Sequence, residues 1–447
     1  MSLTEKIFSA GIVGCGGAGF PTHVKFAGKA ECLIVNSAEC EPLLRTDRYI
    51  MKNRASEIIE ACLLAKKQVE AARCVIAIKE HYEEELRQLK KAIKEQNADI
   101  EIKLLNSFYP AGDEQTLVCE VTGKAVPPAG IPLDVGCIVS NVATMLAISE
   151  AYRDKPFTDK YLTVTGEVKK PTVLKVPVGT SFEECISLAG SVTCGEYCVV
   201  SGGPMMGKLM TSEEAKKAFV TKTTSGIIVL PENSFLSRHS KISVTHMLNR
   251  AKSSCIQCSL CTQMCPRNLM GHPIEPHKIM RKTSLCSDLN GLLDNKDILN
   301  AALCCECGVC ELYACPMGLQ PRRINSMIKK ALAETGIRYP KGEGAGEIKN
   351  VRELRLVPSK RAAARAGVLD YYDYEINECI ETQPKEVCIS LRQGIGAPSA
   401  ARVKDGDYVK KGELIAECPE GKLGSNIHAS IDGKVRVTET AIFINAD

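Results

Sequence analysis

Short apolar runs alternate with amphipathic stretches over the first third of the chain. ECLIVNS (31–37), RCVIAIK (73–79) and EIKLLNS (101–107) read as strands. Between the first two, ASEIIEACLLAKKQVEAA has apolar residues at helical spacing and no breaker, and HYEEELRQLKKAIKEQ (81–96) reads as a second, more exposed helix. Strands alternating with helices predict a mostly parallel sheet. From Asp159 the pattern shortens: YLTVTGEV, TVLKVPVGT and CVVSGGPMMG are strand-like runs cut by Gly and Pro, with one helical piece, SFEECISLAG. They predict a compact β-rich module over about 159–210, followed by a connector (211–250) holding the apolar run GIIVL. Residues 251–330 read as helices around cysteine loops, continuing into a basic helix, PRRINSMIKKALAETG. KGEGAGE (341–347) reads as a flexible linker. In the tail, VKDGDYVKKGELIAEC and HASIDGKVRV predict two half-barrels of short strands joined at Gly-Asp and Asp-Gly turns.

Composition adds little except in cysteine. The chain has 447 residues, 45% hydrophobic and 25% charged, with a formal net charge of +4, so neither nucleic acid nor a polybasic membrane anchor is indicated. Two to four domains are expected at this length. GCIVSNVATMLAI is the stretch nearest to a spanning helix, but Ser140, Asn141 and Thr144 interrupt it before the roughly 18 apolar residues a span needs. The start, MSLTEKIFSAGIVG, lacks the charged leader and apolar core of a signal peptide. LTEKIFSAGI is amphipathic enough for a targeting helix, yet it adjoins the glycine loop and reads better as a structural helix. The 23 cysteines, mostly without a repeated spacing, imply a reducing compartment.

Eight of those cysteines do have a spacing. CIQCSLCTQMCP places Cys255, Cys258, Cys261 and Cys265 at C-x2-C-x2-C-x3-C before Pro266, and CCECGVCELYACP offers Cys304, Cys307, Cys310 and Cys315 before Pro316. In two-cluster ferredoxins the fourth Cys of each run ligates the other cluster. One [4Fe–4S] cluster is thus expected on Cys255, Cys258, Cys261 and Cys315, and another on Cys304, Cys307, Cys310 and Cys265. The second run has one extra residue before its last Cys, and Cys305 could substitute for Cys304. Zinc is the alternative, although its sites usually show two separated C-x2-C pairs.

GCGGAGFPTHVK (14–25) has a formal G-x-G-x-x-G spacing, but only Ile12 and Val13 precede it as strand and Pro21 falls where a dinucleotide-fold helix should already run. Its glycines permit close backbone approach to a phosphate or a ring. NSAECEP (36–42), YPAGDEQT (109–116) and SNVAT (140–144) are three further polar loops that follow strand-like or turn segments. Each alone could be an ordinary connection. All four together fit a ligand site at the C-terminal edge of an open sheet.

These loops resemble, in order, the FMN-binding loops of the flavoprotein subunit of respiratory complex I, and still better those of the RnfC component of the Rnf electron-transport complex. The 159–210 module is similar to an SLBB (soluble-ligand-binding β-grasp) domain, and the tail resembles a barrel-sandwich hybrid domain. This order, with CCECGVCELYACPMGLQPRR and LMGHPIEPHKIMR, resembles the corrinoid reductase family of propanediol-utilisation microcompartments. The resemblance implies an α/β flavin-binding domain (1–155), a β-grasp SLBB domain (156–212), a connector (213–250), a helical two-[4Fe–4S] ferredoxin-like domain (251–335), a linker (336–384) and an all-β barrel-sandwich hybrid domain (385–447). Carried over residue by residue, it puts Gly14, Gly16, Gly17 and Gly19 along the flavin and Lys25 near its phosphate. It puts Asn36, Glu39 and Glu41 on one side, Tyr109, Gly112, Asp113 and Glu114 opposite, and Asn141 and Thr144 closing the pocket. Cys15, Ala38 and Asp113 depart from the complex I pattern, which bears on nicotinamide binding more than on the flavin.

The implied activity is hydride transfer from NADH to FMN, then single electrons through two clusters to a corrinoid, because flavin reconciles a two-electron donor with one-electron acceptors. A corrinoid-handling partner is implied, such as a cobalamin adenosyltransferase, or else a microcompartment shell protein, in the cytoplasm within or beside a microcompartment. His272 and His277 could offer an imidazole to cobalt, or be half-exposed helix-capping residues. The tail lacks the Met-Lys-Met of a lipoyl carrier, so Lys434 reads as part of a docking module, and Lys410-Lys411 as a solvated face. The basic helix from Arg322 to Lys330 could attract an acidic partner. Two other readings remain: an input subunit of an Rnf-type NADH/ferredoxin membrane complex, and a non-enzymatic electron-carrying adaptor.

Overall fold

The computed structural model describes residues 1–285, 293, 295–342 and 346–446, so part of the Gly-rich linker expected at 341–347 lies outside it. The N-terminal domain runs α1 (Leu3–Ser9), α2 (Thr22–Lys25), β1 (Cys32–Ser37), α3 (Thr46–Asn53), α4 (Ala55–Gln68), β2 (Arg73–Lys79), α5 (Glu83–Glu95), β3 (Glu101–Leu105), β4 (Phe108–Tyr109), α6 (Glu114–Thr122), β5 (Cys137–Asn141) and α7 (Val142–Tyr152). Its sheet is parallel throughout, in the order β3-β2-β1-β5. Both faces are covered, as an all-parallel sheet requires. Leu33 and Val35 of β1 point into the core with α4 and α7, while Cys32 and Ile34 point into the one with Leu117 and Val118 of α6. The apolar stretch at 136–148 breaks at Asn141, which ends β5 and caps α7 by accepting the Ala143 amide at 2.8 Å. No helix among the described residues is long and apolar enough to cross a membrane. The helix α1 carries a Ser2–Glu5 capping box and buries Ile7 in the core, so it is a structural element.

The second module contains β6 (Asp159–Gly166), β7 (Thr172–Pro177), α8 (Phe182–Leu188), β8 (Tyr197–Ser201), β9 (Lys208–Thr211) and, after the single turn α9 (Ser212–Ala215), β10 (Gly226–Pro231). The expected connector therefore contains a strand: β10 lies between β6 and β8 inside a six-stranded sheet. The reason is burial on both faces. Ile227 and Val229 join the core under α8, and Ile228 and Leu230 join a second core that reaches the cysteine module. An unbroken GIIVL run suits a strand in the interior of a sheet, where both of its faces are covered.

After α10 (Phe235–Ser240), the cysteine module comprises α11 (Val244–Ser254), α12 (Leu260–Gln263), α13 (Pro266–Leu269), α14 (Pro276–Ser284), α15 (Lys296–Leu299) and α16 (Pro321–Glu334). Much of the basic face of α16 is used internally: Arg322 donates to the Met205 carbonyl at 2.6 Å, Arg323 to that of Ile242 at 2.9 Å, and Lys329 pairs with Glu306 at 2.9 Å. The expected linker at 336–384 is likewise a structured strap. In it, β11 (Val357–Pro358) pairs with β4, α17 (Ser359–Arg365) follows, and β12 (Cys379–Glu381) extends the six-stranded sheet beside β7. Val357, Ala362, Ala363, Ala366 and Val368 anchor the strap in the shared core.

The tail forms two sheets, β13 (Glu386–Ser390), β19 (Ala441–Asn445), β18 (Gly433–Val437) and β15 (Tyr408–Val409) in one, β14 (Ala400–Ala401), β16 (Leu414–Glu417) and β17 (Ile427–His428) in the other. This barrel sits on the N-terminal glycine loop. The Ile395 amide donates to the Ala18 carbonyl at 3.1 Å, and a Cβ on Gly394 would stand 2.3 Å from the Gly19 carbonyl oxygen. Gly394→Ala is therefore expected to destabilise the protein by about 1–3 kcal/mol in denaturant unfolding. Gly195→Ala, where a Cβ meets nothing within 4 Å, should leave stability within about 0.5 kcal/mol of the parent.

Candidate functional site

The four polar loops converge at the C-terminal edge of the parallel sheet. Asn36 and Asn141 are register partners at the ends of β1 and β5, so their side chains start from adjacent points. Asn36 Nδ2 donates to the Gly112 carbonyl at 2.9 Å, which joins the 36–41 and 109–114 loops. The Cys15 amide donates to Thr144 Oγ1 at 3.0 Å, and a Cβ on Gly16 would meet Asn141 Cγ at 2.9 Å, which joins the 14–19 and 141–144 loops. The loop itself is closed by the Gly14 amide donating to the Phe20 carbonyl at 2.9 Å. A Cβ on Gly17 would meet nothing within 4 Å, so the loop presents bare backbone to open space there. That cradle, with the half-buried amide side chains of Asn36 and Asn141 around it, fits a flat ring with a polar tail.

Several expected lining residues have other duties. Lys25 Nζ lies 2.6 Å from Glu114 and 2.9 Å from the Val139 carbonyl, so that lysine is paired rather than open. Gly19, at φ +72°, faces the barrel and Thr223. Glu39 accepts the Asp47 and Arg48 amides at 2.8 and 3.3 Å, at the start of α3. Burial nevertheless raises its carboxyl above the usual range, and Asp47 is pushed up to about 7 by burial and then by the Glu39 charge. Asp47 in turn accepts a hydrogen bond from Asn141 Nδ2 at 2.7 Å. The sequence reading missed Asp47, because TDRY carries no signal beyond an ordinary first helical turn.

Tyr109 and Asp113 are bonded to the cysteine module, and Glu41 to the β-grasp module beside them. Glu41 accepts the Met205 amide at 2.9 Å, and burial pushes its carboxyl up to about 7. The Tyr109 hydroxyl lies 2.8 Å from the Cys307 carbonyl and 3.3 Å from Glu41. Asp113 caps α6 and forms a two-pronged ion pair with Arg267 at 2.6 and 2.9 Å, the two side chains being 17% and 9% exposed. Arg267 had no motif to announce it. It stands two residues after Cys265, so the flavin-type loop and a cysteine loop are fastened together by side chains.

The two cysteine runs fold as near copies. Gln257 and Ser259 in one, and Glu306 and Gly308 in the other, all have φ between 53° and 80°, each pair flanking a cysteine in the same way. Non-glycine residues rarely hold that conformation, and alternation of this kind turns successive amides inward toward an anionic group. Cys255, Cys258, Cys261 and Cys315 line one cavity, so the last cysteine of the second run stands with the first run. Cys265 stands with the other group: burial raises its thiol first, then the neighbouring charges of Cys305 and Cys304, while Cys310 feels Cys304 and Cys265. Cys304 Sγ accepts the Glu306 amide at 3.3 Å. Cys305 instead lies against Cys307 and Arg267. Residues 309–313 form one wide turn in which the Ala314 amide reaches the Val309 carbonyl at 2.8 Å, and this absorbs the extra residue of the second run. Among the described residues, no three His, Cys, Asp or Glu side chains gather tightly enough for a single ion. Thiols ringing a space suit a cubane better than zinc.

Of the two histidines, His272 departs from the half-exposed capping reading, whereas His277 is half-buried in the first turn of α14. His272 is buried with Nε2 2.9 Å from the Val126 carbonyl, and His277 Nδ1 lies 2.7 Å from Thr262 Oγ1 at the wall of the first cysteine cavity.

Fold and site together define an iron–sulfur flavoprotein with an attached β-grasp module and barrel. Residues 7–150 match the Nuo51 FMN-binding domain, 161–209 the SLBB domain, 254–320 the 4Fe-4S dicluster domain and 375–446 the RnfC barrel sandwich hybrid domain. The cobalamin reductase PduS of Citrobacter freundii is 39% identical over 451 residues, covering 99% of this chain and 96% of that one. The PduS of Salmonella typhimurium is 39% identical over 447 residues at the same coverage. The C component of the Na(+)-translocating ferredoxin:NAD(+) oxidoreductase complex of Acetobacterium woodii is 33% identical over 297 residues, 65% of this chain and 63% of that one. The chain belongs to the cobalamin reductase PduS family, within the wider group that includes the RnfC proteins.

Glu41 makes a pH prediction. Its carboxyl is raised from 4.5 to about 7 in the folded protein, so the folded state holds a proton that the unfolded state releases in that interval. Stability from this group is full below about pH 4.5 and is lost as pH rises to about 7, a loss on the order of 3 kcal/mol. Glu41→Gln should remove that fall. Urea unfolding from about pH 5 to about pH 8 reads it as a gain over the parent that grows with pH.

Proposed function

We propose that this oxidoreductase takes hydride from NADH at the N-terminal loops and delivers electrons singly to a corrinoid. One observation carries the reading: Tyr109 and Asp113, on a flavin-type loop, are bonded directly to the Cys307 carbonyl and to Arg267 of the cysteine module. Donor site and outlet are thereby parts of one packed unit. Gly14, Gly16, Gly17, Asn36, Gly112, Asn141 and Thr144 would hold FMN, with Lys25 able to reach its phosphate if Glu114 releases it. When bound, FMN supplies the conversion of a hydride pair into single electrons. Cys265, Cys304, Cys307 and Cys310 would hold the [4Fe–4S] cluster on the flavin side. Cys255, Cys258, Cys261 and Cys315 would hold the outer one. That outer group reaches the surface, since Cys258 is exposed and Ile256 is 62% exposed, and an acceptor would meet the protein there.

Corrinoid as acceptor is supported by the full-length likeness to proteins named cobalamin reductases. The Rnf relative covers only part of the chain, which favours the corrinoid reading over a role within a membrane complex. The implied partners are a corrinoid-handling enzyme such as a cobalamin adenosyltransferase, or a microcompartment shell protein, in the cytoplasm within or beside a microcompartment.

Cys315→Ser and Cys265→Ser should each lower bound iron from about eight to about four per chain, with paramagnetic resonance showing loss of a different cluster in each. Loss of the same signal in both variants would refute the crossed assignment. Anaerobic addition of NADH to reconstituted protein with cob(III)alamin should bleach the flavin and cluster absorbance and then produce Co(II). Bleaching without cobalt reduction would transfer the acceptor role to ferredoxin or a membrane partner.

A further inference from the structure

A cavity of about 290 Å³ lies where the N-terminal domain, the β-grasp module and the barrel meet. Of the four flavin-type loops it takes only Cys15 and Ala143, and it extends along α7 toward Glu150. One wall is apolar, built from Ile50 of α3, Leu146 of α7 and Phe157. The lining is also cationic, with Lys155 from the chain between α7 and β6, Lys160 and Lys175 from the β-grasp module and Lys411 from the barrel.

These charges are only partly balanced from within, because the lining holds two acids, Asp159 and Glu150, against four lysines. Lys411 is paired with Asp159 at 2.7 Å, and Lys175 reaches Glu381 at 3.2 Å, a carboxylate that is 68% exposed. Glu150, the other acid of the lining, lies 3.5 Å from Arg54 and also feels the charges of Lys175 and Lys155. Among the described residues, neither Lys155 nor Lys160 has a carboxylate within 4.0 Å. Lys160 is only 3% exposed, and its Nζ bonds the Cys15 carbonyl at 3.2 Å. Asp47 lies near enough to feel that ammonium, yet its own bond is to Asn141. An ammonium offers three donors, and a buried cation with one carbonyl partner is a poor arrangement unless an anion completes it.

We propose that this cavity is a second small-molecule site, separate from the flavin loops, for a compact apolar body bearing one phosphate or carboxylate head. The head lies on Lys160, with Lys155, Lys175 and Lys411 around it, and the body lies on Ile50, Leu146 and Phe157. A pocket of this size at a domain junction, half apolar with a few convergent polar groups, has the character of a ligand site. Lys160 also connects it to the glycine loop, because the Cys15 carbonyl that it holds belongs to the residue whose amide Thr144 fixes.

The test titrates phenyl phosphate, benzoate and inorganic phosphate into the FMN-loaded protein by calorimetry, with flavin release followed by fluorescence. Saturable binding of phenyl phosphate or benzoate at one per chain is expected, with FMN retained; the tighter of the two identifies the head. Inorganic phosphate should bind at least tenfold more weakly. Lys160→Met should weaken the preferred probe at least tenfold, and Ala147→Leu, which fills the apolar side of the cavity, should do the same without touching a charge. Thermal unfolding of both variants checks that each is folded, and the two alter different elements and different chemistry, so a fold defect in one leaves the other decisive. The proposal is overturned by absence of saturable binding, by equal affinity for inorganic phosphate, or by unchanged affinity in a folded variant. Release of FMN in step with probe binding would also overturn it, since the cavity would then be part of the flavin site.

Discussion

The buried pair between Asp113 and Arg267 is the constraint on which the rest of the molecule is arranged. A guanidinium beside a ring of thiols can stay out of water only with a carboxylate matched to it by two hydrogen bonds, and Asp113 supplies both. Asp113 is itself fixed because it caps α6, so its position is set by the parallel sheet. Arg267 is fixed because it lies in the short helix after Cys265. The pair thus transmits the geometry of one domain to the other without any mobile element between. Tyr109 repeats the connection a few residues away, through the Cys307 carbonyl.

What keeps that junction closed is the course of the chain after the cysteine module. The strap returns to pair β11 with β4, the strand that carries Tyr109, and then to extend the β-grasp sheet at β12. Its alanines and valines share a core with Leu43, Leu44, Val309 and Leu312. The barrel then closes over the glycine loop, with two glycines back to back and Lys222 bridging the Gly11 and Asn426 carbonyls at 2.6 and 2.7 Å. Each of the four modules therefore touches the N-terminal loops or the cysteine loops, and the site is stabilised by contacts made far away in sequence.

The parts of this architecture that depend on local pattern were legible in the sequence. The strands at 32–37, 73–79 and 101–105 and the helices α4 and α5 follow from periodicity, while α3 was not read, and the four polar loops were grouped because each follows a strand-like or turn segment. Cysteine spacing singled out the two runs, and Cys315 of the second does line a cavity with Cys255, Cys258 and Cys261 of the first. What periodicity could not show is where a solitary run such as GIIVL finds partners, since a strand between β6 and β8 is defined by tertiary pairing. The same limit hid Arg267, Asp47 and Lys160. Each is a common polar residue whose role comes from a partner more than 90 positions away. Tyr109 and Asp113 were found in one loop motif, but their bonds to the cysteine module are set by the docking of that module.

The second cysteine run shows how a local irregularity serves this global fit. Its last cysteine must cross to the other group, yet one more residue intervenes than in the first run. A regular helical turn would rotate Cys315 by about 100° for that extra residue and carry its thiol out of the ring. The wide turn at 309–313 takes up the residue inside the helix, so Cys315 arrives on the proper face while Leu312 and Val309 stay in the shared core. Glu311, also in that turn, accepts from Arg322 and the Arg323 amide, which fixes the start of α16. One inserted residue is thus accommodated without disturbing the helix that follows or the loop that precedes it, and the near symmetry of the two thiol groups survives an asymmetric sequence.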